Sequence, residues 1–123
     1  MKRLLVSTAL EGSWGETEPV LFLGEWCRLY SRRHCWSALD AEVLPYHWDD
    51  RDKLIKDRGN LKLLYERVLV EVGEKLNGIH NTDHSLRYWR ILLGPWLGYF
   101  IQTLFDRWSS VEQAINNYEL SRT

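Results

Sequence analysis

The sequence predicts an α/β fold, in which a short parallel sheet of two or three strands precedes a long amphipathic helix and a kinked, aromatic-rich helical tract. Two short apolar runs near the amino terminus stop at polar or glycine residues, as buried parallel strands do. Apolar residues then recur every three or four positions, which is the spacing of one helix face. A second helical tract follows and contains a Gly-Pro pair.

Composition agrees with one compact domain over residues 1–123. Hydrophobic residues make up 45% of the chain and charged residues 27%, which is typical of a globular protein and excludes a disordered or fibrous one. The 16 basic and 17 acidic residues give a net charge of -1. Because no strong field would attract nucleic acid or anionic lipid, the composition gives no support to either kind of partner.

The first strand is predicted within Arg3–Ala9 and the second at Val20–Leu23, which ends before Gly24. A third is predicted at Glu42–Tyr46. There Pro45 indicates a sheet edge or a strand end, because proline cannot donate a ladder hydrogen bond. Between the second and third strands we expect a short helix and an irregular connection. Together these strands would form a Rossmann-like half.

The long helix is predicted to begin after Asp49, whose side chain can cap free N–H groups, and to stop at Asn77-Gly78. Gly59 and Gly73 lie inside it, where they weaken the helix but permit close approach of a neighbour. Eight apolar residues at spacings close to three and four mark one face of this amphipathic helix: Leu54, Ile55, Leu61, Leu64, Val68, Val72, Leu76 and Ile79.

The second tract is predicted to begin near Asp83 or Ser85, to kink or break at Pro95 and to continue helically over Val111–Leu120. Its most apolar part, Ile91–Ile101, is too short for a membrane-spanning helix of roughly 20 residues. We therefore expect a buried helix and no transmembrane segment.

The amino terminus and the cysteines indicate a cytoplasmic protein. Basic residues before an apolar run resemble a secretory signal, but Ser7, Thr8 and Glu11 interrupt the run. Cys27 and Cys35 lack the density of a secreted disulfide framework, so reduced thiols are expected.

Several histidines and cysteines could be metal ligands, but their spacing matches no zinc finger or ribbon. His80 and His84 stand four apart and could share a helix face; the others are Cys27, His34, Cys35 and His47. We predict no metal site and no bound cofactor in this chain, and expect these residues to serve turns and polar contacts.

Seven tryptophans in so short a chain are the strongest departure from average composition. Core or interdomain packing is the favoured interpretation, because large rings bury much apolar area. Stacking against a sugar is the alternative.

Candidate binding residues follow the first two strands, since ligands of open α/β sheets bind beyond the carboxyl ends of the strands. Glu11, Trp14 and Glu25 lie there. Either carboxylate could act as a base or position a hydroxyl, or could simply be a solvated cap. The segment 12–15 lacks the glycine spacing of a phosphate-binding loop.

Four stretches together resemble a known family, the transferases encoded in Leptospira-type O-antigen biosynthesis clusters. The stretches are LVSTALE with WG at 5–15, PVLFLGEWC at 19–27, PYHWDDR at 45–51 and HSLRYWRILLGPWL at 84–97. The likeness covers nearly the whole chain but only the amino-terminal region of the family, whose members are several times longer.

The resemblance implies a glycosyltransferase-like enzyme of lipopolysaccharide or capsule assembly, located in the cytoplasm or at the inner face of the membrane. It implies a pair of Rossmann-like domains and an activated-sugar donor held by a carboxy-terminal lobe. This chain would be the acceptor-side lobe and would not be active alone. Five acceptor-side candidates follow, with no catalytic residue carried over: Glu11, Trp14, Glu25, Trp26 and His47.

A non-catalytic interaction module is the alternative function. Its aromatic helical surface, including Trp89, Trp96 and Trp108, would bind a partner protein. For both functions, the expected protein partner is the missing carboxy-terminal lobe or a second copy of this chain, which would associate through the aromatic surface. If the protein is a transferase, a saccharide acceptor is also expected.

Overall fold

The structure is a computed structural model that describes residues 1–123. Two compact units are present. The first unit contains residues 1–49 and 107–123, and the second contains residues 50–106. Each has its own hydrophobic core.

A four-stranded parallel sheet forms the centre of the first unit. The strands are β1 (Arg3–Val6), β2 (Val20–Phe22), β3 (Ala41–Val43) and β4 (Leu120–Arg122). Their order is β3-β2-β1-β4. This is also the order of the first four strands in a doubly wound Rossmann sheet, so the predicted α/β class and parallel sheet are confirmed.

Two details of the strand prediction are corrected. The third strand lies at Ala41–Val43 instead of Glu42–Tyr46, and it is an edge strand followed two residues later by Pro45, as proline chemistry requires. A fourth strand, Leu120–Arg122, occupies residues for which the sequence predicted a helix end. It pairs with β1 and covers the edge that β1 would otherwise expose.

The core of the first unit is built on the central strands. The apolar runs of β1 and β2 are buried, because helices or loops cover both faces of a parallel sheet. Ala114 is fully buried against them. The predicted short helix is α1 (Arg33–Trp36), which two 3-10 turns precede at Glu25–Cys27 and Tyr30–Arg32.

The second unit begins with helix α2 (Arg51–His80), whose cap is Asp50 and not Asp49. The Asp50 carboxylate accepts hydrogen bonds from the backbone N–H groups of Asp52 and Lys53, at 3.1 and 3.2 Å. Asp49 instead ends a 3-10 turn and donates its own N–H to the Tyr46 carbonyl. The turn therefore shifts the helix start by one residue.

Helix α2 also runs past the predicted stop at Asn77-Gly78 and ends at His80. Asn81 follows with φ 52° and ψ 49°, the left-handed conformation that ends helices, and donates its N–H to the Asn77 carbonyl. Asn77 therefore lies inside the helix. His80 and His84 do not share a helix face, because the turn separates them.

Helix α3 spans Leu86–Asn117 without interruption, so a break at Pro95 was a wrong prediction. Ser85 caps it by accepting the Tyr88 N–H at 3.2 Å, as the sequence predicted. Gly94 precedes Pro95; since glycine has no Cβ to clash with the proline ring, it relieves the usual restriction on that position. None of the helices combines the length and the hydropathy that crossing a membrane requires.

Helices α2 and α3 pack through Leu69, Trp89 and Leu97, with Tyr65, Val68, Leu76, Leu93 and Ile101 around them. Gly73 permits the approach of the Trp89 indole: a Cβ atom there would lie 2.8 Å from Cδ1 of that ring. The predicted close approach is thus confirmed at Gly73, whereas Gly59 has no neighbour within 4 Å of that position. Across the same pair of helices, Arg90 forms a two-pronged hydrogen-bonded ion pair with Glu66, at 2.9 and 2.7 Å.

Candidate functional site

The carboxyl ends of the strands meet at one edge of the sheet, which we call the strand-end edge. Val6, Phe22 and Val43 are the last residues of β1, β2 and β3, and the register places them side by side. The segments that leave this edge start at Ser7, Leu23 and Leu44. Four of the five candidate residues were predicted at loops leaving β1 and β2, and the fifth, His47, follows β3.

Trp26 and Arg107 form the most distinctive contact at this edge. The Trp26 indole N–H donates to the Ser7 carbonyl at 3.5 Å. The guanidinium carbon of Arg107 lies 3.6 Å from the ring centroid. A Cβ atom on Gly24 would overlap the ring, so only glycine leaves room for it. Trp26 is half-buried, and Arg107 is exposed.

Arg107 was not predicted as a site residue. It lies in the last part of α3, more than eighty positions after Trp26, and nothing in its local sequence marks it. The Arg107 guanidinium contacts Trp26 only because this last part of α3 belongs to the first unit, together with the sheet. Such stacking is favourable because the ring face carries negative charge density.

Trp14 belongs to the core. Its side chain is only 4% exposed, and its ring meets Phe22 edge to face with centroids 5.1 Å apart. The indole N–H donates to the Thr8 carbonyl at 3.2 Å, which satisfies the buried donor. The packing interpretation of the tryptophans therefore holds for Trp14.

Glu11 is locked in an ion pair with Arg32. The guanidinium donates two hydrogen bonds to the carboxylate, at 2.6 and 2.7 Å. These bonds are the main reason that the pKa of Glu11 falls from 4.5 to about 2. The neighbouring Cys35 thiol has a raised pKa, mainly because of desolvation and then because of its hydrogen bond to Glu11. Glu11 is therefore a permanently charged acceptor near neutral pH.

Glu25 has a comparable partner in Arg28. Both guanidinium contacts are 2.9 Å long, and they lower the pKa of Glu25. The same guanidinium lies 4.9 Å from the centroid of the Trp36 ring. Since the Glu25 side chain is 72% exposed, its oxygens can accept further hydrogen bonds from a ligand.

His47 is the only one of the four histidines that is buried; it lies in the 3-10 turn His47–Asp49 after β3. The rings of Tyr46 and Trp48 flank it, with centroids 5.1 and 4.7 Å away. The Gln113 amide, on α3, donates to the Pro45 carbonyl at 3.1 Å and fixes the start of this turn. The turn thus holds a buried imidazole between two aromatic rings.

The metal-ligand types found in the sequence do not converge. No group of three or more histidine, cysteine, aspartate or glutamate side chains is arranged to hold a metal ion. Both cysteines are free thiols. Cys27 is fully buried, donates to the Val6 carbonyl at 3.4 Å, and has a raised pKa because of desolvation.

The structure thus sorts the five candidates into distinct environments. Trp26 lies with Arg107 at the strand-end edge, and Glu11 and Glu25 are each paired with an arginine. Trp14 belongs to the core, and His47 is buried and flanked by two rings. What the arrangement offers chemically is an exposed, stacked guanidinium together with carboxylates that accept hydrogen bonds.

Comparison with known proteins identifies the family. No curated protein and no solved structure shows significant similarity to the chain. Residues 3–123 match the model of a family described as the LIC12162 family transferase. Because that match covers nearly every residue, including both units and the whole strand-end edge, the chain belongs to the LIC12162 family of transferases.

Proposed function

We propose that this chain binds the acceptor in a glycosyltransferase-like reaction of bacterial surface-polysaccharide assembly, and that Arg107 contacts an anionic group of that acceptor. The observation that carries the proposal is the stacking of the exposed Arg107 guanidinium on Trp26 at the strand-end edge. Open parallel sheets bind their ligands at this edge.

The stacking matters because it fixes the plane of the guanidinium. An arginine held on a ring face loses little further freedom when it binds, and a guanidinium presents its N–H donors as a planar fork. Two of those donors match the two oxygens of a carboxylate or a phosphate. Acidic sugars and phosphate-linked saccharides carry such groups, so the contact suits an anionic saccharide.

Glu11 and Glu25 are better suited to hold hydroxyl groups than to remove protons. A general base works best with a pKa near the working pH, and arginine partners lower both of these pKa values. Glu25 is the more exposed of the two. In this proposal its oxygens accept hydrogen bonds from acceptor hydroxyls.

The remaining parts of the reaction fall outside these residues. The activated-sugar donor is assigned to a carboxy-terminal lobe, as the family resemblance implies, and the complete enzyme is placed in the cytoplasm or at the inner face of the membrane. In this scheme the 123-residue chain alone binds the acceptor and does not turn it over.

Binding by the chain itself tests the proposal. We would titrate the labelled protein with an oligosaccharide that contains glucuronate and with a neutral oligosaccharide of the same length, and follow amide and indole NMR signals. The acidic ligand should bind more tightly and shift the Trp26 indole signal. Arg107→Gln should weaken that binding at least tenfold, since a charged hydrogen-bonded pair contributes about 1.5–3 kcal/mol.

Arg33→Gln is the matched control, because Arg33 is also exposed and its guanidinium also lies over a ring, 5.2 Å from the Tyr30 centroid. It should leave binding unchanged. Equal affinity for the acidic and neutral ligands would contradict the role of Arg107. For the reaction itself, sugar transfer would be assayed after co-expression with the donor-binding lobe, with Glu25→Gln expected to raise KM more than it lowers kcat.

A second candidate function, a non-catalytic interaction module, is favoured by a different observation. Helix α3 exposes large apolar side chains outside its packed face, including Trp96 at 59% and Tyr99 at 77%. A module of this kind would retain partner binding but would show no transfer when combined with a donor-binding lobe. The co-expression assay therefore separates the two functions.

A further inference from the structure

Helix α3 carries two apolar stripes within the second unit. The first stripe contains Trp89, Leu93 and Leu97 and packs against α2. The second is displaced by one residue, or about 100° around the helix. We call it the outer stripe; its members follow one another at intervals of four and are 41–59% exposed: Tyr88, Leu92, Trp96, Phe100 and Leu104.

The outer stripe has the properties of a packing surface. Residues spaced by four form a ridge that fits the grooves of another helix. Its central rings, Trp96 and Phe100, are stacked, with centroids 5.2 Å apart and an interplanar angle of 18°. The segment 91–105 contains no charged residue. Such a surface is unusual on a monomer.

The exposed area is about what a stable dimer needs. Large side chains offer about 150–250 Å² each, so the outer stripe together with Tyr99 exposes on the order of 700 Å². A standard protein–protein interface buries about 800 Å² on each partner. One face of one helix could therefore supply one side of the interface.

We propose that the outer stripe binds the outer stripe of a second copy of this chain, as an antiparallel pair of α3 helices with Trp96 on the two-fold axis. The stripe is centred on Trp96: Leu92 lies one turn before it and Phe100 one turn after. In the pair, Leu92 of each copy faces Phe100 of the other. A two-fold interface requires this self-complementarity.

Charged residues that flank the outer stripe favour this orientation. Arg87 is exposed before the stripe, and Asp106 is the first charged residue after segment 91–105. An antiparallel pair brings Arg87 of one copy to the end that carries Asp106 of the other. A parallel pair would place like charges together, which is unfavourable.

The test is the association state of the 123-residue chain, measured by sedimentation velocity over a hundredfold range of concentration. We expect a monomer–dimer equilibrium whose Kd rises at least tenfold in Trp96→Glu. Leu63→Glu is the matched control, because Leu63 lies on α2 of the same unit and is 72% exposed; it should change the Kd less than twofold. Circular dichroism would check that both variants are folded.

Cross-linking tests the orientation. In a Cys35→Ser background, a mixture of Leu92→Cys and Phe100→Cys chains should be joined by a short bis-maleimide, whereas each variant alone should be joined much less. A chain that stays monomeric at all concentrations would overturn the proposal, as would a dimer that Trp96→Glu leaves intact. A monomer that binds phosphatidylcholine–phosphatidylglycerol vesicles through Trp96 would also overturn it, in favour of a lipid surface.

Discussion

The guanidinium of Arg107 stacks on the indole of Trp26, 3.6 Å from the ring centroid. The indole itself occupies the space that a side chain at position 24 would fill. Gly24, in the loop after β2, thus leaves the space in which the Trp26 ring lies. The ring in turn positions the guanidinium of Arg107.

Gly24→Ala should displace the Trp26 ring. The new methyl group overlaps the ring in its present position, so the ring must rotate away from Arg107, at a cost of about 1–3 kcal/mol. One of the seven indole N–H signals should shift strongly in an NMR spectrum, and the urea midpoint should fall. Gly12→Ala is the control, since nothing lies within 4 Å of its added Cβ. An unshifted spectrum for Gly24→Ala would show that the ring position does not depend on glycine.

Gly73→Ala and Gly59→Ala should change stability in opposite directions, although both replace a glycine inside α2. At Gly73 the added methyl group would overlap the buried Trp89 ring, so the free energy of unfolding should fall by about 1–3 kcal/mol. At exposed Gly59 it meets nothing, and the better helix propensity of alanine should stabilise the protein by about 0.5–1 kcal/mol. Urea unfolding measures both. A loss at Gly59 equal to that at Gly73 would refute the packing explanation.

Asn77→Ala should open the turn between α2 and α3. The side-chain oxygen Oδ1 of Asn77 accepts hydrogen bonds from the Thr82 hydroxyl, from the His84 backbone N–H and from the Trp89 indole N–H, at 3.0–3.2 Å. Its amide donates to the His84 carbonyl at 2.9 Å. Loss of the Asn77 side chain leaves the N–H of the mostly buried Trp89 indole unpaired. We therefore expect the free energy of unfolding to fall by about 2 kcal/mol.

Asn77→Asp provides the comparison, because it keeps the acceptor oxygen and replaces the donor with a second, negatively charged acceptor. It should be less destabilising than Asn77→Ala. Hydrogen exchange at the amide of His84 would be the direct measurement, and exchange should be fastest in the alanine variant. Equal exchange in all three proteins would mean that Asn77 does not hold the turn.

The Glu11–Arg32 pair should make stability depend on acid pH. The pKa of Glu11 is about 2 in the folded protein and near 4.5 otherwise, so the unfolded chain binds more protons between these values. The stabilisation is complete above about pH 4.5 and is lost as the pH falls toward 2. Urea titrations from pH 2 to pH 7 would measure it, and Glu11→Gln should flatten this part of the curve. Glu16→Gln, which changes an exposed carboxylate in the same loop, should not.

The elements that could be predicted from the sequence are those whose signal is local. β1 and β2 are continuous apolar runs, and the α2 cap was misplaced by only one residue. β4 had no such signal, because only Leu120 among its three residues is apolar and the strand exists through pairing with β1. Whether the helix continues through Pro95 could not be decided from the sequence for a related reason. Leu93 and Leu97, on either side of the proline, pack into the same cluster and hold the helix together.

The contacts of the candidate site, like β4, depend on residues that are distant in sequence. Topology placed Glu11 and Glu25 after the right strands, but the arginines that neutralise them could not be paired from sequence alone. Arg32 is 21 positions from Glu11 and lies in a 3-10 turn with no periodic pattern. Arg107 reaches Trp26 only through the tertiary fold.

The pairing of Arg3 in β1 with Leu120 in β4 has a consequence for the order of folding. During synthesis β1 emerges more than a hundred residues before β4, its second neighbour in the sheet. The contacts between α2 and α3, in contrast, join neighbouring segments and close a short loop, which costs less entropy. We therefore expect the helical pair to gain structure on the ribosome first, while β1 waits with one edge open until β4 arrives.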